Sequence, residues 1–168
     1  TANCTSAAAS CSYEVAGAGD TNGDGYDDVI AQNGYQSLTR ELYVFLGPIT
    51  SASTLPATAT IISDAGSAWA SGVDSAGDVD GDGNDDILFG VHAESTAATY
   101  GGAVYIMTGP LSGTVQATDY EAKIFGDSAN LYLGWESVGG HDFTGDGAND
   151  ILSLSWATGL HLFEGSGL

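Results

Sequence analysis

Four of the five aspartates between residues 78 and 86, those at positions 78, 80, 82 and 86, have the spacing of a calcium-binding loop. In a nine-residue loop of the form D-x-[DN]-x-D-G-x-x-D, positions 1, 3 and 5 bring side-chain oxygens to one side of a turn, and the glycine at position 6 permits the bend. Position 7 offers a backbone carbonyl, and position 9 offers a last carboxylate. An all-oxygen shell of this kind suits calcium better than a soft transition metal.

The loop occurs three times, beginning at residues 20, 78 and 142. The repeat unit is therefore about 60 residues long, which is longer than most short solenoid repeats and is typical of propellers or arrays. The pattern predicts up to three calcium ions, with position 7 binding through its backbone carbonyl. The predicted ligands are Asp20, Asn22, Asp24, Tyr26 and Asp28; Asp78, Asp80, Asp82, Asn84 and Asp86; and Asp142, Thr144, Asp146, Ala148 and Asp150.

Two other interpretations of the loops are weaker. Asn-Gly and Asp-Gly sequences also make hairpin turns, but a turn alone does not require Asp at positions 1, 5 and 9 of every copy. An EF-hand needs a bidentate Glu at position 12, and that position falls on Ala31, Phe89 and Ser153. Calcium in these loops is expected to be structural, because each ion would join two neighbouring strands.

Short strands must hold these loops in place. Aromatic and β-branched segments with Gly-Pro punctuation indicate strands separated by turns, and each loop joins two of them as a hairpin. The predicted strands before the loops are 13–16, 71–74 and 135–138, and those after the loops are 28–31, 86–89 and 150–153. Third strands are predicted within 42–48, 104–110 and 160–165, and fourth strands within 58–63 and 120–125.

Four antiparallel strands in each repeated unit are typical of a β-propeller blade. The predicted fold is therefore all-β, a partial propeller of about three four-stranded blades in which the last blade lacks its outer strand. Residues 13–63, 64–125 and 126–168 form the three units, and residues 1–12 precede them. A β-propeller generally needs about four blades or more to close. The chain is therefore expected to be part of a longer propeller, or to complete one by self-association.

These features resemble the FG-GAP repeats of the integrin alpha-subunit propeller, in their calcium-binding form. The family's Phe-Gly pair corresponds to Cys11-Ser12, Trp69-Ala70 and Leu133-Gly134, and its Gly-Ala-Pro element to Gly90-Val91-His92. The resemblance implies an extracellular module, secreted or at the cell surface. It also implies that partners dock on the face opposite the calcium loops, for which residues 32–40 and 92–100 are the candidates.

The composition excludes several classes of partner. The chain has 22 acidic and two basic residues, giving a formal charge of −20, so nucleic acid and anionic membrane surfaces are not expected to bind. No apolar run approaches the roughly 18 residues that span a bilayer, so membrane insertion is not expected. Cys4 and Cys11 are expected to form a local disulfide if the protein is extracellular, and two free thiols are the alternative.

No catalytic motif is recognisable, so an enzyme is not predicted. The three histidines, His92, His141 and His161, fall at different positions of the repeat. Trp69, Trp135 and Trp156 suit either a sugar-stacking surface or core packing between blades, and core packing is favoured. The sequence thus supports a calcium-binding adhesion or protein-interaction module. A carbohydrate-binding or accessory module of a secreted protein or enzyme is the alternative.

Overall fold

A computed structural model describes residues 14–32, 41–50, 56–62 and 70–167. The predicted disulfide between Cys4 and Cys11, Trp69, and most of the 32–40 candidate surface lie outside these residues. Within them the strands are β1 (Val15–Gly19), β2 (Asp28–Gln32), β3 (Glu41–Phe45), β4 (Ala59–Ile62), β5 (Ser71–Gly77), β6 (Asp86–Val91), β7 (Ala103–Met107), β8 (Gly113–Gln116), β9 (Ala122–Phe125), β10 (Leu133–His141), β11 (Asp150–Ser155) and β12 (Gly159–Phe163). Two short 3-10 turns cover Ala117–Asp119 and Gly165–Gly167.

The strands form three sheets, which we call blades. Blade 1 has the order β1-β2-β3-β4-β8, blade 2 has β5-β6-β7-β9, and blade 3 has β10-β11-β12. Each calcium-type loop connects the first two strands of its blade, which pair antiparallel. The prediction of an all-β partial β-propeller is confirmed. None of the helical turns in the described part of the chain has the length and apolarity needed to cross a membrane.

Blade 2 is packed on both faces, and its sequence shows why. Along β6, Ile87 and Phe89 belong to an apolar cluster shared with blade 1, whereas Leu88 belongs to a second cluster shared with blade 3. Successive side chains of a strand point to opposite faces, so a strand covered on both sides is a continuous apolar run. All six residues of β6 are buried. Burying each Leu or Ile side chain contributes about 1.5 to 3 kcal/mol to blade stacking.

Strand β8 is a feature that the sequence pattern did not predict. Residues 113–116 lie between the third and fourth strands of the second unit, yet they pair in parallel with β4 of blade 1, from Ala59 opposite Gly113 to Ile62 opposite Gln116. The first blade therefore has five strands. Since the added strand occupies the outer edge of β4, it covers backbone groups that would otherwise be unpaired, and it links blade 2 to blade 1 by main-chain hydrogen bonds.

Blade 3 has one covered face and one open face. Ile151 is buried against blade 2, but Val138, Leu154, Leu160 and Leu162 on the other side are between 39% and 63% exposed. The register places Val138, Leu152 and Leu162 in one row across the sheet and Leu154 beside Leu160. The equivalent residues of blade 2 include Leu88 and Ile106, which blade 3 covers. The open face of blade 3 thus has the same apolar pattern as the face of blade 2 against which blade 3 packs.

Candidate metal centre

The first aspartate of each loop is held by the backbone that follows it. The Asp78 carboxylate accepts the N–H groups of Gly81 at 2.7 Å and Gly83 at 3.0 Å. Asp20 and Asp142 accept equivalent bonds from Gly25 and Gly147, at 2.8 and 2.9 Å. These N–H groups hold the pKa of Asp20 and of Asp142 below the usual range. The largest cause is the Gly25 N–H for Asp20 and the Gly147 N–H for Asp142. Each loop thus closes around its own position 1.

The last aspartate of each loop is buried and has the same two kinds of partner in every blade. One Asp86 oxygen accepts the N–H of Val79 at 2.8 Å, and the other accepts the N–H of Gly109 at 2.9 Å. Gly109 follows the third strand of blade 2, and the equivalent glycines of the other blades make the same bond. Asp28 accepts the Gly47 N–H at 2.8 Å, and Asp150 accepts the Gly165 N–H at 2.9 Å. Position 9 therefore joins the loop to the third strand of its blade.

The second loop brings three carboxylates together. Asp78, Asp80 and Asp86 present oxygens that all lie within 4.8 Å of one another. At that separation two carboxylates repel by roughly 1 to 3 kcal/mol, depending on how much water screens them. Burial raises the pKa of Asp86, and the neighbouring charges of Asp80 and Asp82 raise it further, against the hydrogen bonds from Val79 and Gly109. This oxygen-only donor set fits a hard divalent cation such as calcium.

Position 5 accepts the backbone N–H of position 7 in all three loops. Asp82 lies outside the three-carboxylate group and accepts the Asn84 N–H at 2.7 Å. Asp24 and Asp146 likewise accept the N–H groups of Tyr26 at 3.0 Å and Ala148 at 2.9 Å. In the first and third loops Asn22 and Thr144 replace the position 3 carboxylate. Asn22 accepts the Asp24 N–H at 2.9 Å, whereas the Thr144 hydroxyl is 3.5 Å from an oxygen of Asp142.

Family comparisons agree with this geometry. A model described as FG-GAP-like repeat matches residues 19–89, and a second, described as FG-GAP repeat, matches residues 72–107. The chain contains FG-GAP repeats. FG-GAP repeats occur in integrin-like adhesion proteins and other extracellular proteins, and they commonly bind calcium. No curated protein matches this chain at a significant level. The third loop, residues 142–150, lies beyond both matched ranges but repeats the same hydrogen bonds.

The first and second FG-GAP loops are hydrogen-bonded to each other, which the sequence did not indicate. The Asp20 N–H donates to the Asp85 carboxylate at 2.8 Å, and the Asp85 N–H donates to the Asp20 carbonyl at 2.9 Å. Gly19, with a φ of +73°, leaves room for this contact, since a Cβ there would lie 2.1 Å from an Asp85 oxygen. Asn149 approaches Gly77 in the same way in the next pair of loops. The residue at position 8 therefore packs against the preceding blade.

Replacing Asp85 tests this contact between blades. We expect Asp85→Ala to lower the free energy of unfolding by about 1 to 2 kcal/mol, because the Asp20 N–H loses a charged acceptor. Asp27 is the matched control, since it holds the same loop position on the exposed side of blade 1. Urea denaturation in saturating calcium measures both variants. If Asp85→Ala and Asp27→Ala lower the free energy of unfolding equally, the Asp85 contact does not stabilise the packing of blade 2 against blade 1.

The tryptophans occupy a different place from the one expected. Trp135 and Trp156 are 40% and 73% exposed, so the prediction of core packing is wrong for these two. Their rings lie 5.4 Å apart between centroids, and His92 contacts Trp135 at 4.5 Å. The two tryptophans and Tyr132 line a cavity of about 310 Å³. We call His92, Tyr132, Trp135 and Trp156 the aromatic cluster.

Proposed function

We propose that this chain is an extracellular calcium-binding FG-GAP propeller module that acts in adhesion or protein–protein interaction, with calcium in a structural role. The observation that carries the proposal is the convergence of Asp78, Asp80 and Asp86 within 4.8 Å at the turn between β5 and β6. A divalent cation there would neutralise carboxylates that otherwise repel. The same loop hydrogen bonds in blades 1 and 3 support a site in each blade.

Each ion would be bound by the residues of one loop. In the second loop Asp78, Asp80 and Asp86 would bind the cation directly, and their burial ranges from exposed at Asp80 to fully buried at Asp86. Because Asp86 also accepts the Gly109 N–H, a bound ion would connect the first, second and third strands of the blade. Calcium is thus expected to stabilise the blade against separation of its strands.

Calorimetric titration tests the number and nature of the sites. We expect the protein to bind up to three calcium ions with dissociation constants on the order of 10⁻⁴ to 10⁻³ M, the third loop being the weakest because a hydroxyl is a poorer ligand than a carboxylate. Thr144→Asp should therefore strengthen binding at that loop by about tenfold, as one charged ligand is gained. A titration with no calcium heat would contradict the proposal, and an unchanged third site would contradict the role of Thr144.

The aromatic cluster supports a docking surface for a protein partner. Trp135 lies near the start of β10 and Trp156 directly follows β11, whereas the calcium-type loop joins the opposite ends of these strands. The cluster is therefore on the face opposite the loops, beside the 92–100 candidate segment. Exposed tryptophan and tyrosine are enriched where proteins bind each other.

Another FG-GAP blade is proposed to cover the open face of blade 3. That face carries Val138, Leu154, Leu160 and Leu162, each exposed by 39% or more, and it repeats the apolar pattern by which blade 2 receives blade 3. Contiguous exposed apolar surface of this kind is typical of an interaction site. In a solution of the chain alone, a second copy is the available source of such a blade, so calcium-stabilised self-association is expected.

A further inference from the structure

A second cavity lies on the face of blade 2 that is directed toward blade 1. Its volume is about 400 Å³, which is within the range of small-molecule sites. The register places Tyr105 opposite Lys123 on neighbouring strands, and both line the cavity with Phe89, Glu94, Tyr120 and Phe125. Tyr120 and Phe125 are 36% and 40% exposed, so the cavity can be reached from solvent beside these rings.

Glu94 is the unusual residue of this cavity. Its side chain is 6% exposed, and one oxygen accepts the Thr96 N–H at 2.9 Å and lies 3.7 Å from the Lys123 ammonium. The Thr96 hydroxyl donates to the same oxygen. The other oxygen, Oε2, is buried and has no hydrogen-bond partner. A buried carboxylate oxygen without a donor is costly to the fold, and Glu94 is one of the residues that line a space large enough to admit a ligand.

The charges around the cavity select the class of ligand. Lys123 is 8% exposed and lies over the rings of Tyr105 at 4.2 Å and Phe125 at 4.5 Å. Its charge balances that of Glu94, so the cavity has no net formal charge in a chain of −20. A cationic ligand would be repelled by Lys123 and an anionic one by Glu94. A neutral ligand with hydroxyl donors and an apolar ring face meets both the Glu94 carboxylate and the aromatic wall.

We propose that this cavity binds one neutral pyranose residue, with a sugar hydroxyl donating to the Glu94 carboxylate and the sugar ring packed against Tyr120 and Phe125. The site is separate from the calcium loops and from the aromatic cluster. The proposal goes beyond the calcium-dependent interaction module, because it gives the chain a small-molecule ligand of its own. It does not depend on the three loops binding calcium.

Saturation-transfer NMR on the full chain in calcium buffer tests the site. The probes are the methyl glycosides of glucose, galactose, mannose and N-acetylglucosamine, with choline and acetate as charged competitors. We expect at least one glycoside to receive saturation on its ring C–H protons, while choline and acetate receive none. Glu94→Gln and Tyr120→Ala should each weaken that binding by about tenfold or more, through loss of the charged acceptor or of the aromatic wall.

Trp156→Ala is the matched control, since it removes an exposed aromatic ring from the other cavity and should leave glycoside binding unchanged. The melting temperature of each variant shows whether it folds; if Glu94→Gln does not, Tyr120→Ala decides. The proposal is overturned if none of the four glycosides binds, or if choline or acetate binds instead. It is also overturned if Trp156→Ala abolishes glycoside binding while Tyr120→Ala does not.

Discussion

Removing calcium is expected to lower the melting temperature of this chain by roughly 8 to 16 °C. In 10 mM calcium, about ten times the weaker expected dissociation constant, each bound ion adds roughly 1.4 kcal/mol to the free energy of unfolding. Three ions therefore contribute about 4 kcal/mol, and in a domain of this size each kcal/mol moves the melting temperature by about 2 to 4 °C. Differential scanning calorimetry in 10 mM calcium and in EDTA measures the change.

Two controls separate calcium binding from general charge screening. Sodium chloride at matched ionic strength should recover only a small part of the loss, because it screens carboxylates without binding between them. Magnesium should recover less than calcium, since it demands near-ideal octahedral geometry and gives up its waters reluctantly. Light scattering on the same samples reports whether the calcium form is larger than a monomer, as the open face of blade 3 leads us to expect. A melting temperature indifferent to EDTA would refute structural calcium.

Asp86→Ala is expected to lower the free energy of unfolding by about 3 to 5 kcal/mol in calcium, making it the most damaging single change in the second loop. Asp86 is fully buried and accepts the N–H groups of Val79 and Gly109. The alanine leaves two donors without their acceptor, at about 1 to 3 kcal/mol each, and removes a ligand of the second calcium site. Chemical denaturation in calcium and in EDTA divides the loss between these causes.

Asp80→Ala provides the comparison for that measurement. Asp80 belongs to the same three-carboxylate group, but it is exposed and accepts the N–H of the nearby Asp82 at 3.0 Å. We expect Asp80→Ala to cost about 1.4 kcal/mol in calcium and nothing in EDTA, where it relieves repulsion with Asp78 and Asp86. Asp86→Ala should keep most of its cost in EDTA. If the two variants behave alike in EDTA, the hydrogen bonds of Asp86 do not support the blade.

The loops and strands could be predicted because their information is local. A nine-residue spacing of aspartates and glycines specifies a turn that closes around its own position 1, as Asp20, Asp78 and Asp142 do. Aromatic and β-branched content marked β6 and β7 as strands, and their predicted starts, residues 86 and 104, agree with the structure to within about one residue. Such features depend on neighbours in the sequence, so a single chain without relatives is enough to recognise them.

The contacts between repeats could not be predicted from the sequence because they depend on how the blades stack. The hydrogen bond between Asp85 and Asp20 joins residues 65 positions apart, and no spacing rule connects them. Strand β8 leaves its own unit to pair with β4, since the outer edge of blade 1 offers unpaired backbone groups. The residue type of Trp135 and Trp156 does not indicate whether their side chains are buried. Their exposure therefore follows only from how the blades pack.

The sequence by itself therefore determined the calcium-type loops, the hairpins around them and the repeated blade, since each follows from residues close together in the chain. The tertiary structure alone decided what surrounds them: the glycine that holds each position 9 aspartate, the loop-to-loop contact of Asp85, and the buried pairing of Glu94 with Lys123. The physical reason is that burial and hydrogen-bond partners are set by distant segments, whose meeting depends on the stacking of whole blades.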